Sequence, residues 1–274
     1  MLKGGENMTE FNLIKAPECP EFLEEAAAPI SREVGRTLGN IFFAVFNPIN
    51  YPIERLRIRQ SENLKKYEQD INNELTKIPE ENLVEPPLKI VGPALDASKY
   101  YIEEESSRKL FAKLIASSMN IDTVEIVRST FIEIIKQMEP LDAKIFKTLS
   151  SIEHCGVGQI KFGNSKGKQT LYEALFPLDF LNTENMELVA TSISNIIRLG
   201  LIGINDTSSY TDKSIYEPLK QHPVYEYFAK NYTDSVANDP RVISLKESTW
   251  SITPLGKHFA TTCIPATRTI IIHV

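Results

Sequence analysis

Cysteine is scarce in this chain. Cys19, Cys155 and Cys263 stand far apart and are odd in number, which fits neither a secreted disulfide framework nor a zinc site. A reducing cytoplasm is the compartment they suit. There is also no unbroken apolar run of the roughly 20 residues that a membrane span requires; the densest stretch, Leu38 to Phe46, gives way to Asn47, Pro48, Asn50 and Pro52. The first residues show no apolar core followed by a small-residue cleavage site, so no secretory signal peptide is read there. Cationic excess is missing too. With 30 Lys and Arg against 36 Asp and Glu, the formal charge is −6. That argues against broad, nonspecific affinity for nucleic acid, which depends on neutralising phosphates, while leaving local basic patches open.

What is present is enough apolar surface for a core. The 274 residues are 42% hydrophobic and 24% charged, which excludes a disordered chain and allows one large domain or two modest ones. Residues 1–7 are expected to be a non-native or upstream-start extension. Lys3-Gly4-Gly5 reads as a translated purine-rich ribosome-binding site ahead of Met8, the expected natural start.

The block Leu38, Ile41, Phe42, Phe43, Val45 and Phe46 is flanked by Arg32 and Arg36 on one side and by Arg55, Arg57 and Arg59 on the other. This is the pattern of an interfacial anchor, and residues Leu38, Ile41, Phe42, Phe43, Phe46, Arg55, Arg57 and Arg59 form the candidate interaction surface. The protein's own core, an oligomer interface and a membrane surface are its three open destinations. From Ile53 to Ile78 a charged helix is expected, with Leu56, Leu64, Tyr67, Ile71, Leu75 and Ile78 as an intermittent stripe that suits packing against another helix.

The stretch Pro79 to Asn120 orders a proline-punctuated turn ahead of a long amphipathic helix. Pro86 and Pro87 fix φ and push Glu85 toward an extended conformation, giving a rigid strut, and Pro93 is placed to open a helix at its first turn. From Glu105 on, Leu110, Phe111, Leu114, Ile115 and Met119 recur at helical spacing as one buried face, with Glu104, Glu105, Arg108 and Lys109 largely outside it. Glu103 to Glu105 read as a solvated acidic patch at the helix N-terminus. The LVEPP turn (residues 83–87), the IVGPAL segment (residues 90–95) and FAKLIASSM (Phe111 to Met119) resemble the abortive infection alpha family. The resemblance implies a bacterial phage-defence protein and brings no established catalytic mechanism.

A helix from Thr130 to Met138 leads to Glu139-Pro140, a boundary signal. Beyond it, Leu141 to Ile152 and Thr183 to Leu199 read as helical and Gly200 to Ile204 begins an extended segment. Trp250 and Ile252 alternate as in a strand. Thr253-Pro254 caps a helix with Leu255, Phe259 and Cys263 at four-residue spacing. This order resembles winged-helix domains. The candidate reading helix, Glu184 to Arg198, offers Arg198 as its one basic residue, so protein interaction is favoured over base readout. The insert 206–246 carries Tyr210, Tyr216, Tyr225, Tyr227, Phe228 and Tyr232 without an accompanying basic groove.

Catalytic and metal motifs are not picked out. Gly163 to Thr170 differs from a phosphate loop in the spacing of its Gly-Lys pair and in Gln169, and reads as a hairpin turn. Arg268 and His273 have the Arg-x4-His spacing of HEPN ribonucleases but stand in a β-branched segment rather than a helix. His154 and Cys155 are adjacent, which suits neither a metal pair nor a Cys-His dyad; His222 and His258 have no motif around them.

The expectation is therefore a mainly α protein, with a helical region over residues 8–138 and a winged-helix-like α+β domain over residues 139–274. Pro86, Pro87, Trp250, Leu255 and Phe259 are its structural residues. No cofactor and no metal is expected. The partners are a second copy or another protein, with the inner membrane surface and, less favoured, nucleic acid as alternatives. A winged-helix regulator and a nuclease toxin are the competing functions.

Overall fold

The computed structural model describes residues 19–24, 28–46, 54–152, 155–232 and 239–265, and for residues 54–60 the backbone alone. Pro29, pre-set for a helix start, opens α1 (Pro29–Phe46). Its buried stripe is Ser31, Val34, Gly35, Leu38, Gly39, Phe42 and Phe46, the three-and-four spacing of a helix with one inward face. Residues 19–24 cross that face at the glycines: a Cβ on Gly35 would stand 2.1 Å from the Phe22 carbonyl oxygen, and one on Gly39 2.3 Å from that of Pro20. The rings of Phe42 and Phe46 lie 5.9 and 6.2 Å from Tyr67 on α2 (Glu54–Leu75). Tyr67, Ile71 and Leu75 are fully buried. Of the three destinations open to the apolar block, the protein's own core therefore takes Leu38, Phe42 and Phe46, at about 1.5–3 kcal/mol per large side chain.

The LVEPP turn is stitched to the end of the fourth helix. Leu83 forms a β-bridge with Asn120, the Val84 amide donates to the Met119 carbonyl at 2.9 Å, and the Ile121 amide to that of Asn82 at 2.9 Å. Pro86 is buried, and Pro87, extended at φ −71° and ψ 106°, is the N-cap of α3 (Leu88–Ser98). Pro93 does not open this helix, as the sequence led us to expect, but lies inside it. Pro87 already supplies the extended residue from which a helix can start. Pro93 is itself exposed, so the carbonyl deprived of its partner by the proline ring can be met by water.

A second correction concerns α4 (Glu105–Ser118). It is buried almost all round rather than on one face, because α2, α3, α5 (Thr130–Lys136), α6 (Pro140–Ser151) and α10 (Pro254–Cys263) all pack against it. Arg108, expected on its wet side, is buried: Nε donates to Asp70 Oδ2 at 2.6 Å and a terminal nitrogen to the Ile102 carbonyl at 3.2 Å. Glu104 is the helix N-cap, accepting from the amides of Ser106 at 3.1 Å and Ser107 at 2.7 Å. Its burial favours the neutral acid, but these hydrogen bonds outweigh that and hold its carboxyl below the ordinary value.

The chain is mainly helical, with an α+β C-terminal part, as its pattern indicated. Four antiparallel strands, β1 (Val157–Asn164), β2 (Gly167–Leu175), β3 (Ile202–Asn205) and β4 (Val242–Ile252), form one sheet in the order β2-β1-β4-β3. Ser165 and Lys166 make the β1/β2 hairpin loop, and Ser165 Oγ donates to Asp239 Oδ2 at 2.7 Å. The segment that faintly resembled a phosphate loop is thus the tip of this hairpin. After α7 (Met186–Arg198), Gly200 at φ +73° turns the chain into β3. The short α8 (Glu217–Lys220) and α9 (Pro223–Asn231) lie between β3 and β4.

The last helix closes the core. Thr253 caps α10, its Oγ1 accepting from the Gly256 amide at 2.9 Å, as the Thr-Pro pair led us to expect. Phe259 is fully buried, with its ring 5.5 Å from Phe131 of α5 and 5.7 Å from Phe146 of α6. Leu255 is partly buried against the same core. Trp250 is also only partly buried; it stacks edge-on against Phe176 at 5.4 Å and donates to the Cys155 carbonyl at 2.9 Å.

Candidate interaction surface

The candidate surface assembled from the sequence is not brought together as one exposed patch. Leu38, Phe42 and Phe46 point into the core, Ile41 and Val45 pack on its margin, and Phe43 is half-buried. Arg55, Arg57 and Arg59 lie on α2, with side chains outside the described residues. Met1 to Met8, His154, Arg268 and His273 also lie outside them.

A different surface stands open. Between β2, α7 and α9 runs a groove of about 620 Å³. Along α7, Met186, Glu187, Ala190, Thr191 and Ser194 line it. These positions are one, four, five and eight residues on from Met186, and therefore one helix face. The other face of α7 is held down by Val189, Ser192, Ile193 and Ile196, which are buried. Tyr172 fixes the strand wall to the helix: its hydroxyl donates to the Met186 carbonyl at 3.0 Å, and burial pushes the phenol's pKa up. The opposite wall is aromatic. Phe228 on α9 is buried 6.5 Å from Tyr172 and 5.5 Å from Tyr232, while Tyr227 and Tyr232 keep 40% and 36% of their surface exposed.

The N-terminus of α9 depends on His222. This side chain is buried, its Nδ1 accepts from the Val224 amide at 3.2 Å, and its Nε2 faces the Leu178 carbonyl at 3.5 Å. Nδ1 as acceptor places the proton on Nε2. Burial lowers the imidazole pKa, against the opposing pull of the Leu178 carbonyl and Asp179.

A cleft of about 710 Å³ between α2, α4, α6 and the end of α10 is lined by both signs of charge. Glu74 there meets Lys77 at 2.5 Å and Lys113 at 3.6 Å, Lys109 pairs with Glu105, and Lys144 sits over the Phe180 ring at 4.1 Å. Burial pushes the Cys155 thiol up to about 11 and that of Cys263 higher still, so neither is disposed to act as a thiolate. Among the described residues, no group of three or more His, Cys, Asp or Glu could hold a metal ion, and no helix is long and apolar enough to cross a membrane.

The family model described as abortive infection alpha matches residues 59–263. The chain belongs to that family. No curated protein and no solved structure matches it. The match spans α4 and runs through α7, α9 and α10, so this abortive infection alpha protein carries its central helix and its open groove within the family region. The aromatic residues of α9 are visible in the sequence but the groove is not, because its walls come from segments up to 61 residues apart. The one advance signal was the polar, small-residue face of α7, which a buried helix does not need.

Proposed function

We propose that this abortive infection alpha protein defends bacteria against phage as a binding protein, docking a protein partner in the groove between β2, α7 and α9. The groove carries this reading, because it keeps the Tyr227 and Tyr232 rings exposed beside the buried rings of Tyr172 and Phe228, the composition of a recognition surface. The family supports the anti-phage role. We read residues 139–274 as the winged-helix-like part, with α7 in the place of the reading helix, working in the cytoplasm on protein rather than on DNA. Arg198, the one basic residue of α7, already donates to Gln137 Oε1 at 3.0 Å and to Asn195 Oδ1 at 3.0 and 2.7 Å, which engages the group a phosphate would need. Self-association through the same face is the form of the reading in which the partner is a second copy.

The test is phage plating on cells carrying wild type, empty vector, or Thr191→Trp at equal protein abundance. Thr191 is exposed and lines the groove, so an indole there occupies the docking space and leaves the core alone. Protection by wild type and its loss in Thr191→Trp is the expected result; full protection by the variant overturns the reading.

A further inference from the structure

The groove's charge identifies the chemistry of its occupant. Among the described residues its lining includes two carboxylates, Glu173 on β2 and Glu187 on α7, and no lysine, arginine or histidine. Both glutamates are exposed; Glu173 also accepts a hydrogen bond from Gln159 Nε2 of β1 at 3.1 Å, and Ala190, Tyr172 and Phe228 form the apolar part of the lining. The wall from Met186 to Ser194 spans eight residues of helix, about 12 Å, which three or four residues of extended chain would cover at about 3.4 Å each. β2 has β1 as its one neighbour in the sheet order, so the strand wall is an edge whose outward main-chain groups are not used by the sheet. An edge strand beside an aromatic pocket is the arrangement that receives an extended peptide: main-chain pairing holds it and alternate side chains choose it.

We infer that the groove takes an extended segment of a partner protein carrying an apolar anchor residue flanked by lysine or arginine. The anchor side chain lies over Ala190 and Phe228 between the two exposed tyrosines, and the flanking cations meet Glu173 and Glu187. Aromatic rings and carboxylates serve such a segment together, since tyrosine faces also attract cations. An acidic segment is repelled from both sides, which gives discrimination by charge as well as by fit. This inference rests on the docking reading above and names the partner's chemistry.

The experiment is selection of a yeast-displayed random ten-residue peptide library on the intact protein, followed by fluorescence anisotropy with the enriched peptides. Thr191→Trp serves as the occluded control, and Glu173→Lys with Glu187→Lys as the charge-reversed one. The expected consensus is an aliphatic or aromatic residue with Lys or Arg within two positions. Thr191→Trp, shown folded by circular dichroism, should weaken binding at least about tenfold. The double lysine variant should weaken it several-fold, as expected for two exposed ion pairs, and should select acidic peptides instead. A consensus without basic residues, an acidic consensus, no enrichment, or undiminished binding to folded Thr191→Trp each overturns the inference. A concentration-dependent dimer abolished by Thr191→Trp also overturns it, by assigning the groove to a second copy. Basic peptides that bind while Thr191→Trp still protects cells would leave the docking chemistry standing and remove the defence reading. Lost protection with an acidic consensus would do the reverse.

Discussion

The block Leu38 to Phe46 and the groove beside α7 are both rich in apolar and aromatic side chains, yet Phe42 is 2% exposed while Tyr227 is 40% exposed. In α1 the rings fall on the same side as Gly35 and Gly39, which let the segment 19–24 lie against the helix, and α2 offers Tyr67 to meet them. In α7 the outward face carries the small side chains Ala190, Thr191 and Ser194, and the groove between β2 and α9 opens over them. Density of apolar residues in the sequence therefore does not tell which way a surface faces. What decides is whether another element supplies a complementary stripe.

The sharpest break of that contrast is a pair of ring deletions. Phe42→Ser should cost about 3–5 kcal/mol, the usual result of emptying a buried aromatic site, and should do so without any lipid. Tyr227→Ala, removing a ring from the open groove, should stay within about 0.5 kcal/mol. Urea denaturation midpoints check both, and an unaltered midpoint for Phe42→Ser would return α1 to the surface. Trp250 falls between these extremes. Being partly buried, it should lose about 2 kcal/mol on Trp250→Ala from packing against Phe176 and from the hydrogen bond to Cys155. Its fluorescence in the native protein should shift to the red on unfolding by less than a fully buried indole would.

Much of the helical structure is legible in its residues, and the physical reason is locality. The stripe Tyr67, Ile71, Leu75, the recurring apolar positions of α4 and the Thr253-Pro254 cap are set by neighbours three or four residues away. Arg108 reads as solvated in the sequence because its partner, Asp70, is 38 residues distant, and nothing nearby in the chain marks the pair. Pro93 lies inside the helix rather than at its start because Pro87, six residues earlier, already opens it. β1 and β2 are not evident in the sequence, apart from their turn, because an alternation as short as Gln159-Ile160-Lys161-Phe162 is a weak signal on its own; β1 is specified by pairing with β4 some 80 to 90 residues away and β2 by pairing with β1. The groove is invisible locally for the same reason.

The LVEPP turn offers a smaller test of how firmly the closed half is held. Pro86→Ala and Pro87→Ala should each lose about 0.4–1 kcal/mol through the entropy of the unfolded chain, with faster proteolysis near Asn82. Unchanged stability would remove the strut. The open half has a pH test at His222. Its folded pKa lies below the ordinary value, so the unfolded chain binds the proton first as acid is added. The stability from the neutral imidazole is complete above about pH 6.5 and declines as pH falls toward the folded value. Protection of the α9 amides against hydrogen exchange, taken relative to the intrinsic exchange rate at each pH, should therefore fall between pH 7.5 and 5.5, and His222→Asn, which retains a capping acceptor, should flatten that response.

The two surfaces can be set against each other directly in phage plating, with Thr191→Trp in the groove and Phe43→Ser on the half-buried side of α1, each matched to wild type in abundance and melting temperature. Loss of protection in Thr191→Trp and its retention in Phe43→Ser is the result expected if the groove is the working surface. Retention in Thr191→Trp with loss in Phe43→Ser would contradict the account and place the working surface on α1.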